Sequence, residues 1–352
     1  MQLSERVELA LAGVRMDDAP VQRSKGAGPS DDGHLALDGG NAALPVNPDS
    51  PYSIVGGRLR KGIIDLGIEA VPSVRPKFYD LATADGVPYR QIALLHGHDV
   101  LASTVVQTCI RYAEDQRCRF CTIEESLRSG STVAAKTPAQ LAEVAEAAVR
   151  LDGVRQLVLT TGTTSGPDRG GRHLARCVRA VLDAVPGLPV QVQIEPPVGD
   201  LPVIAELRSA GATAIGIHVE SLDDAVRARW MPGKSTVPLA EYERAWDEAV
   251  RVFGWNRVST YLLIGLGEPA DDLVAGAASL IARGVYPFLV PMRPMAGTLA
   301  RRDGAVAPPA SLVTEVTGRV AELLRAAGMA GADQGAGCAA CGGCSALPSA
   351  GG

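Results

Sequence analysis

From residue 101 onward one pattern recurs six times: a short run rich in β-branched residues, followed by a longer stretch of helical periodicity. The candidate strands are Leu101 to Gln107, Arg155 to Thr160, Pro189 to Ile194, Ala214 to Val219, Val258 to Ile264 and Pro287 to Pro291. The segments between them carry helix boundary signals. Thr137 and Pro138 supply an N-cap and a first-turn proline ahead of Leu141, Val144, Ala145 and Ala148. Leu239, Tyr242, Trp246, Ala249 and Phe253 form a stripe stopped by Gly254, Pro269 opens a helix ended by Gly284, and Leu312, Val316, Val320, Leu323 and Leu324 form a further stripe ended by Gly328. Strand-then-helix units in series require a parallel sheet with helices outside it. Six units are too few for a closed eight-stranded barrel, so the expected fold is α/β, an open or partial (β/α)6 barrel over residues 101–329. In such a fold the chemistry sits at the C-terminal ends of the strands.

The flanking segments are irregular. Residues 1–100 read as an N-terminal extension packed on the barrel and loosely ordered in part. It has a short amphipathic helix through Leu3, Val7, Leu11 and Val14, turn material at Gly26 to Ser30 and Asn47 to Pro51, and one hairpin from His34 to Val46 about Asp38-Gly39-Gly40-Asn41. The stretch from Tyr52 to Val100 has short apolar runs without a clear period. Residues 330–352 are nearly all Gly, Ala, Cys and Ser, which predicts a flexible tail except where a ligand ties it down.

At 352 residues, with 46% apolar and 21% charged content, the chain has enough material for a large core, and disorder over its whole length is excluded. A net charge of −5 without a dense basic run argues against nucleic acid and for a small substrate. No apolar stretch approaches the ~18 residues of a membrane span. Glu5, Arg6 and Glu8 break the apolar pattern of the first helix, so no signal peptide is expected there, and the location expected is cytoplasmic.

Seven cysteines fall into two groups of three and one single, Cys177, which lies on a helical face and reads as a packed core thiol. Clustered thiols in a reducing compartment point to metal rather than disulfides. Cys109, Cys118 and Cys121 follow the first barrel strand, which places three soft ligands at the top of the sheet. Three thiolates suit an iron–sulfur cluster with one iron open to an external ligand. A zinc site needs a fourth protein ligand, and none lies nearby in sequence; zinc and three unrelated buried thiols remain the alternatives.

This loop, ending Cys-x-x-Cys with the aromatic Phe120 before its last cysteine, resembles that of the radical S-adenosylmethionine (SAM) superfamily, and biotin-synthase-like members in particular. The resemblance implies that Cys109, Cys118 and Cys121 hold a [4Fe–4S] cluster whose open iron is chelated by SAM. It also implies reductive cleavage of SAM to a 5′-deoxyadenosyl radical that abstracts hydrogen from substrate. The chain departs from the family's usual spacing: eight residues, not three, separate the first two cysteines. By the same resemblance, Phe120, Gly162 and Thr163 of the Thr-Thr-Gly-Thr turn, Glu195, His218, Glu220, Lys234, and Gly265 and Gly267 of Gly-Leu-Gly-Glu-Pro contact the cofactor. The Val290 to Thr298 stretch is also similar to that of biotin-synthase-like members. An electron donor such as flavodoxin or ferredoxin is implied too.

Cys338, Cys341 and Cys344 are spaced like the opening of a bacterial ferredoxin run, but Pro348 stands where the fourth ligand would be. A second iron–sulfur cluster is the preferred reading, with zinc or a redox-active thiol tail as alternatives. The overall resemblance is to the radical SAM proteins encoded in nitrilase-containing bacterial gene clusters of cyanide or nitrile assimilation. It rests on Gly26 to Ser30, Lys77 to Asp80, Gly86 to Tyr89, Ala93 to Gly97, Gln107 to Tyr112 and the C-terminal cysteines together. The function it implies is hydrogen abstraction from a small nitrogen-containing metabolite. Sulfur insertion with the tail cluster as donor, and a non-catalytic iron–sulfur or zinc protein, are the other readings. Family membership does not name the substrate.

Overall fold

The computed structural model describes residues 1–16 and 33–350. The expected turn segment Gly26 to Ser30 lies outside the described residues. Two sheets organise the chain. The first is antiparallel, of strands β1 (Gly33–Leu37), β2 (Gly40–Leu44), β3 (Tyr52–Val55), β4 (Arg58–Lys61) and β5 (Ile64–Pro72), in the order β2-β1-β5-β4-β3. The second contains β6 (Leu94–His96), β7 (Val100–Thr104), β8 (Gln156–Thr160), β9 (Val190–Ile194), β10 (Ala214–Ile217), β11 (Val258–Ile264) and β12 (Val285–Pro291) in unbroken chain order. β7 to β12 are parallel, and β6 caps one edge as an antiparallel hairpin partner of β7.

The six parallel strands are the six expected from sequence, and the sheet is an open, curled half-barrel. Its curl is evident in a single cavity lined by Thr104 of β7, Thr160 of β8, Gln193 of β9, Tyr261 of β11 and Phe288 of β12. The outward faces pack under helices whose ends follow local chemistry. Pro138–Asp152 begins at a reciprocal cap, in which Gln140 N–H donates to Thr137 Oγ1 at 3.2 Å and Thr137 N–H to Gln140 Oε1 at 2.9 Å; it ends at Gly153 in the left-handed region. Leu239–Phe253 buries Tyr242, Ala245, Trp246, Ala249 and Phe253 on one stripe, and the Trp246 indole donates to the Ile217 carbonyl at 2.9 Å.

The N-terminal region is more regular than its sequence indicates. Asp38 and Gly39 both take positive φ (46° and 82°), the conformation of a tight two-residue hairpin turn between β1 and β2. Leu9, Val14, Leu35, Leu44, Tyr52, Leu59 and Ile68 form a separate hydrophobic cluster beneath this sheet. The alternation in β3 to β5 is blurred because Val55, Ile64 and Val71 are exposed while Ser53 is buried, which is why no period showed. The first helix, Leu3–Ala12, packs against the helix Ala310–Ala326 of the barrel.

The tail departs from its expected flexibility. Residues 331–350 fold back against the N-terminal ends of the barrel strands, with Ala336, Ala339, Ser345, Ala346 and Leu347 buried. Its small residues serve close packing. A Cβ on Gly337 would lie 2.1 Å from the Gln191 side chain, and one on Gly331 would lie 2.5 Å from the Ala339 carbonyl oxygen. No helix among the described residues is long and apolar enough to cross a membrane.

Candidate active site

The segment after β7 crosses the C-terminal mouth of the sheet and brings Cys109, Cys118 and Cys121 to the wall of one cavity of about 440 Å³. Backbone hydrogen bonds fix its path: Ile110 N–H to the Thr163 carbonyl at 3.0 Å, Arg119 N–H to Trp230 at 2.8 Å and Cys121 N–H to Cys118 at 3.0 Å. The long interval between the first two cysteines is a compact turn, in which the Gln116 and Arg117 amides both donate to the Ala113 carbonyl. That turn docks on Gly233, whose amide donates to Gln116 O at 2.8 Å and where a Cβ would sit 2.7 Å from the same oxygen. Gly162 lines the cavity, but the room left by its missing side chain is taken by the cysteine loop. A Cβ there would meet the Thr108 carbonyl oxygen at 2.0 Å.

The charged lining forms two buried pairs. Arg111 grips Glu195 through Nε (3.1 and 3.0 Å) and Nη2 (2.6 Å), and Thr163 Oγ1 donates to the same carboxylate at 2.7 Å. Arg111 also donates through Nη1 to the Gly233 carbonyl and to Thr236, so one guanidinium ties the cysteine loop to the end of β9 and to residues 233–236. Lys234 Nζ donates to Glu220 Oε2 at 2.6 Å, with the two side chains only 13% and 10% exposed. Glu220 holds a left-handed φ of 62°, a strained conformation for a residue with a side chain, and is pinned there by backbone bonds to Tyr261 and Leu263 on β11.

His218 lies between these groups, its ring stacked on Tyr261 with centroids 3.9 Å apart. Nδ1 accepts the Tyr261 amide proton at 3.2 Å, which puts the ring proton on Nε2. Nε2 is buried with no hydrogen-bond partner among the described residues. Burial, reinforced by the Lys234 charge, holds the His218 pKa down at about 3. A histidine kept neutral in the fold but free to titrate when unfolded, with a pKa of about 6.5, contributes stability that is fully present above that value and lost as pH falls toward the folded one. The protein without ligands is therefore expected to lose up to about 1.4 kcal/mol per pH unit below about pH 6 on this account. His218→Asn should flatten the decline in urea midpoints, and an unchanged slope would show that His218 is not its source.

Cys118 and Phe120 pack at the rim against Trp230, Met231, Leu263, Leu266 and Met292. Of the residues proposed from sequence, Thr163, Glu195, His218, Glu220, Lys234, Phe120, Gly162 and the three cysteines share the cavity wall. Gly265 and Gly267 do not line it. They shape the turn after β11 with φ of 106° and 132°, and Gly265 abuts Pro308. Cys177 is fully buried in the helix Gly171–Ala184, its thiol pushed up to about 12 by burial.

Cys338, Cys341 and Cys344 line a second cavity of about 220 Å³ lower in the barrel. Cys344 borders both cavities, as do Thr104, Thr160, Gln193 and Tyr261. The Cys338 sulfur lies 2.8 Å from Tyr261 OH and 3.4 Å from Gln193 Nε2, while Gln156 and Gln191 accept the amides of Gly337 and Cys338 at 2.8 and 3.3 Å. These inward polar side chains escaped the sequence reading, as did Arg111. The signal was the alternation Val190-Gln191-Val192-Gln193-Ile194-Glu195, which turns every second, polar residue into the lumen.

Each group presents three thiols, soft sulfur donors, to a cavity. Burial pushes Cys121 and Cys341 up to about 11 and Cys118 higher, so the sulfurs are not thiolates unless a cation takes the proton's place. Backbone amides of Ile123 and Gly343 already point at the Cys121 and Cys341 sulfurs. Among the described residues no three Cys, His, Asp or Glu side chains gather as the ligands of one metal ion would.

A family model described as the radical SAM superfamily matches residues 115–277. That match covers just under half of the chain. The match takes in Cys118 and Cys121 but starts beyond Cys109, the side on which the unusual spacing lies. Lipoyl synthase of Thermus thermophilus is 28% identical over 172 residues, covering 48% of this chain and 50% of that enzyme. The match thus spans half the length of that relative. Lipoyl synthase of Halorhodospira halophila is 24% identical over 274 residues, covering 69% of this chain and 79% of the relative. The crystal structure of methylornithine synthase superposes with a TM-score of 0.49 at 15% identity, covering 68% of this chain and 64% of that one.

Proposed function

We propose that this protein cleaves SAM reductively at the upper cavity and uses the resulting radical to remove hydrogen from a small substrate. The observation that carries this reading is the convergence of Cys109, Cys118, Cys121, His218, Glu220 and Lys234 on one cavity at the C-terminal ends of the parallel strands. A [4Fe–4S] cluster held by the three cysteines, with SAM on its open iron, supplies the electron and the 5′-deoxyadenosyl radical when bound. The protein's own part is to bind and orient. Glu220 faces the cavity as a ribose acceptor, with Lys234 fixing its carboxylate, and the unpaired His218 Nε2–H is a donor for the ligand. Glu195, already engaged by Arg111 and Thr163, positions the cysteine loop more than it contacts ligand. Phe120 and its apolar neighbours close one side against water.

In this reading the tail cysteines hold a second iron–sulfur cluster, and residues 1–100, 101–329 and 330–352 are the extension, barrel and tail. The substrate is a small nitrogen-containing metabolite, the electron donor is a flavodoxin or ferredoxin, and the location is cytoplasmic. A second reading, sulfur insertion with the tail cluster as donor, is favoured by Cys344 bordering both cavities and by the lipoyl synthase relatives.

Anaerobic reconstitution tests the proposal. Full-length protein is expected to bind about eight iron atoms, as two four-iron clusters, and to release 5′-deoxyadenosine when reduced with SAM. A colourless protein that binds only zinc would end it. Loss of sulfide from the tail site in a single turnover would select the second reading.

A further inference from the structure

Arg6 stands in sequence among the charges that break the apolar pattern of the first helix, yet the structure buries it to 4% exposure. Its Nη2 donates to the Gly343 carbonyl at 3.0 Å, an oxygen that also takes the Ala43 amide at 3.0 Å. Its Nη1 is buried without a hydrogen-bond partner among the described residues. No carboxylate pairs with it in the described ion pairs, and the charged groups that act on it are Cys344 and Arg293. A buried guanidinium beside a second cation is unfavourable unless an anion lies between. An iron–sulfur cluster held through Cys344, the residue after Gly343, would supply one.

The N-terminal hairpin converges on the same segment, residues 341–344. The Asn41 side chain hydrogen-bonds the Cys341 sulfur, and Asn41 is itself held by Asp99 at 3.1 Å. We infer that Arg6 is the buried counter-ion of an anionic iron–sulfur cluster on Cys338, Cys341 and Cys344. Arg6, Asn41 and the Ala43 amide then make the N-terminal region the clasp that holds the C-terminal cluster loop in the barrel. The inference rests on the reading of the tail thiols as a cluster site. It assigns a purpose to the burial of a charge that otherwise has none.

The test uses full-length protein reconstituted anaerobically, with Arg6→Met and Arg6→Lys beside the wild type. Wild type is expected to hold about eight iron atoms, Arg6→Met about four with the upper cluster's spectrum retained, and Arg6→Lys close to the wild-type count because the charge remains. Amide hydrogen exchange gives a second readout that needs no variant of Arg6. Loading the wild type should slow exchange through Leu3–Ala12, whereas loading Cys344→Ala should not. About eight iron atoms in both wild type and Arg6→Met, with exchange in the first helix indifferent to loading, would overturn the counter-ion role and leave the tail cluster standing. Only about four iron atoms in the wild type, unchanged by Cys338→Ala, would overturn the tail cluster itself. If Arg6→Met does not fold, the Arg6→Lys count and the exchange experiment decide.

Discussion

Cys118→Ala is expected to reduce 5′-deoxyadenosine formation more than about 100-fold, beyond what loss of an outer-shell contact to a metal site costs. The reason is positional. Cys118 borders the cavity at the rim, among Trp230, Met231, Leu263 and Leu266, and no neighbouring side chain there can replace a thiolate. Shortening it to alanine removes one sulfur from a small apolar cluster, so the fold should lose only about 1 kcal/mol, an average effect for a point substitution. Activity and stability are thereby separated. Cys341→Ala, at the lower cavity, should leave SAM cleavage intact while impairing product formation. Normal SAM cleavage by Cys118→Ala would show that the upper thiols are not the cluster ligands.

Arg111→Met is the second large effect, on stability first and on the site through it. The Glu195 side chain is 4% exposed, and its carboxylate would be left with Thr163 Oγ1 as its remaining described donor. Removing one member of a buried, well-bonded pair costs about 3–5 kcal/mol, because the surviving charge stays in a low-dielectric site. The same change releases the cysteine loop from Gly233 and Thr236, so iron at the upper site should fall as well. Arg111→Met/Glu195→Gln removes both charges and should recover at least half of the lost stability, since neutralising a buried pair as a whole is close to neutral. Urea unfolding at constant slope measures all four members of this cycle. A single-variant loss under about 1 kcal/mol would mean that Glu195 finds another partner or water and that the pair does not organise the loop.

Much of the barrel was legible because its signals are local. The run Val258 to Ile264 is a strand at the same bounds in the structure, and Thr137-Pro138 caps its helix as the residue types require. The upper site was largely legible for a related reason: in a parallel sheet the residues at strand ends share one rim, so Glu195 and His218-Val219-Glu220 needed only their strands to be placed correctly. Arg111 was hidden because it lies within the unusual interval between the first two cysteines, where neither strand nor helix periodicity applies. Gly162 was placed at the site, but its closest constraint is the backbone of the cysteine loop at Thr108, a contact between distant segments that no local pattern reports.

By itself the sequence determined the six-unit parallel sheet, the end of it where the candidate site residues gather and the two groups of thiols, because periodicity, capping and cysteine spacing act over a few residues. Only the tertiary structure decided that the Gly- and Ala-rich tail is packed in the barrel, with Cys344 bordering both cavities, and that Arg6 reaches Gly343 from the opposite end of the chain. Small residues leave no periodic trace, and whether they make a loose tail or a closely fitted one depends on the surface that receives them. Here that surface is the inward polar row of Gln156, Gln191, Gln193 and Tyr261.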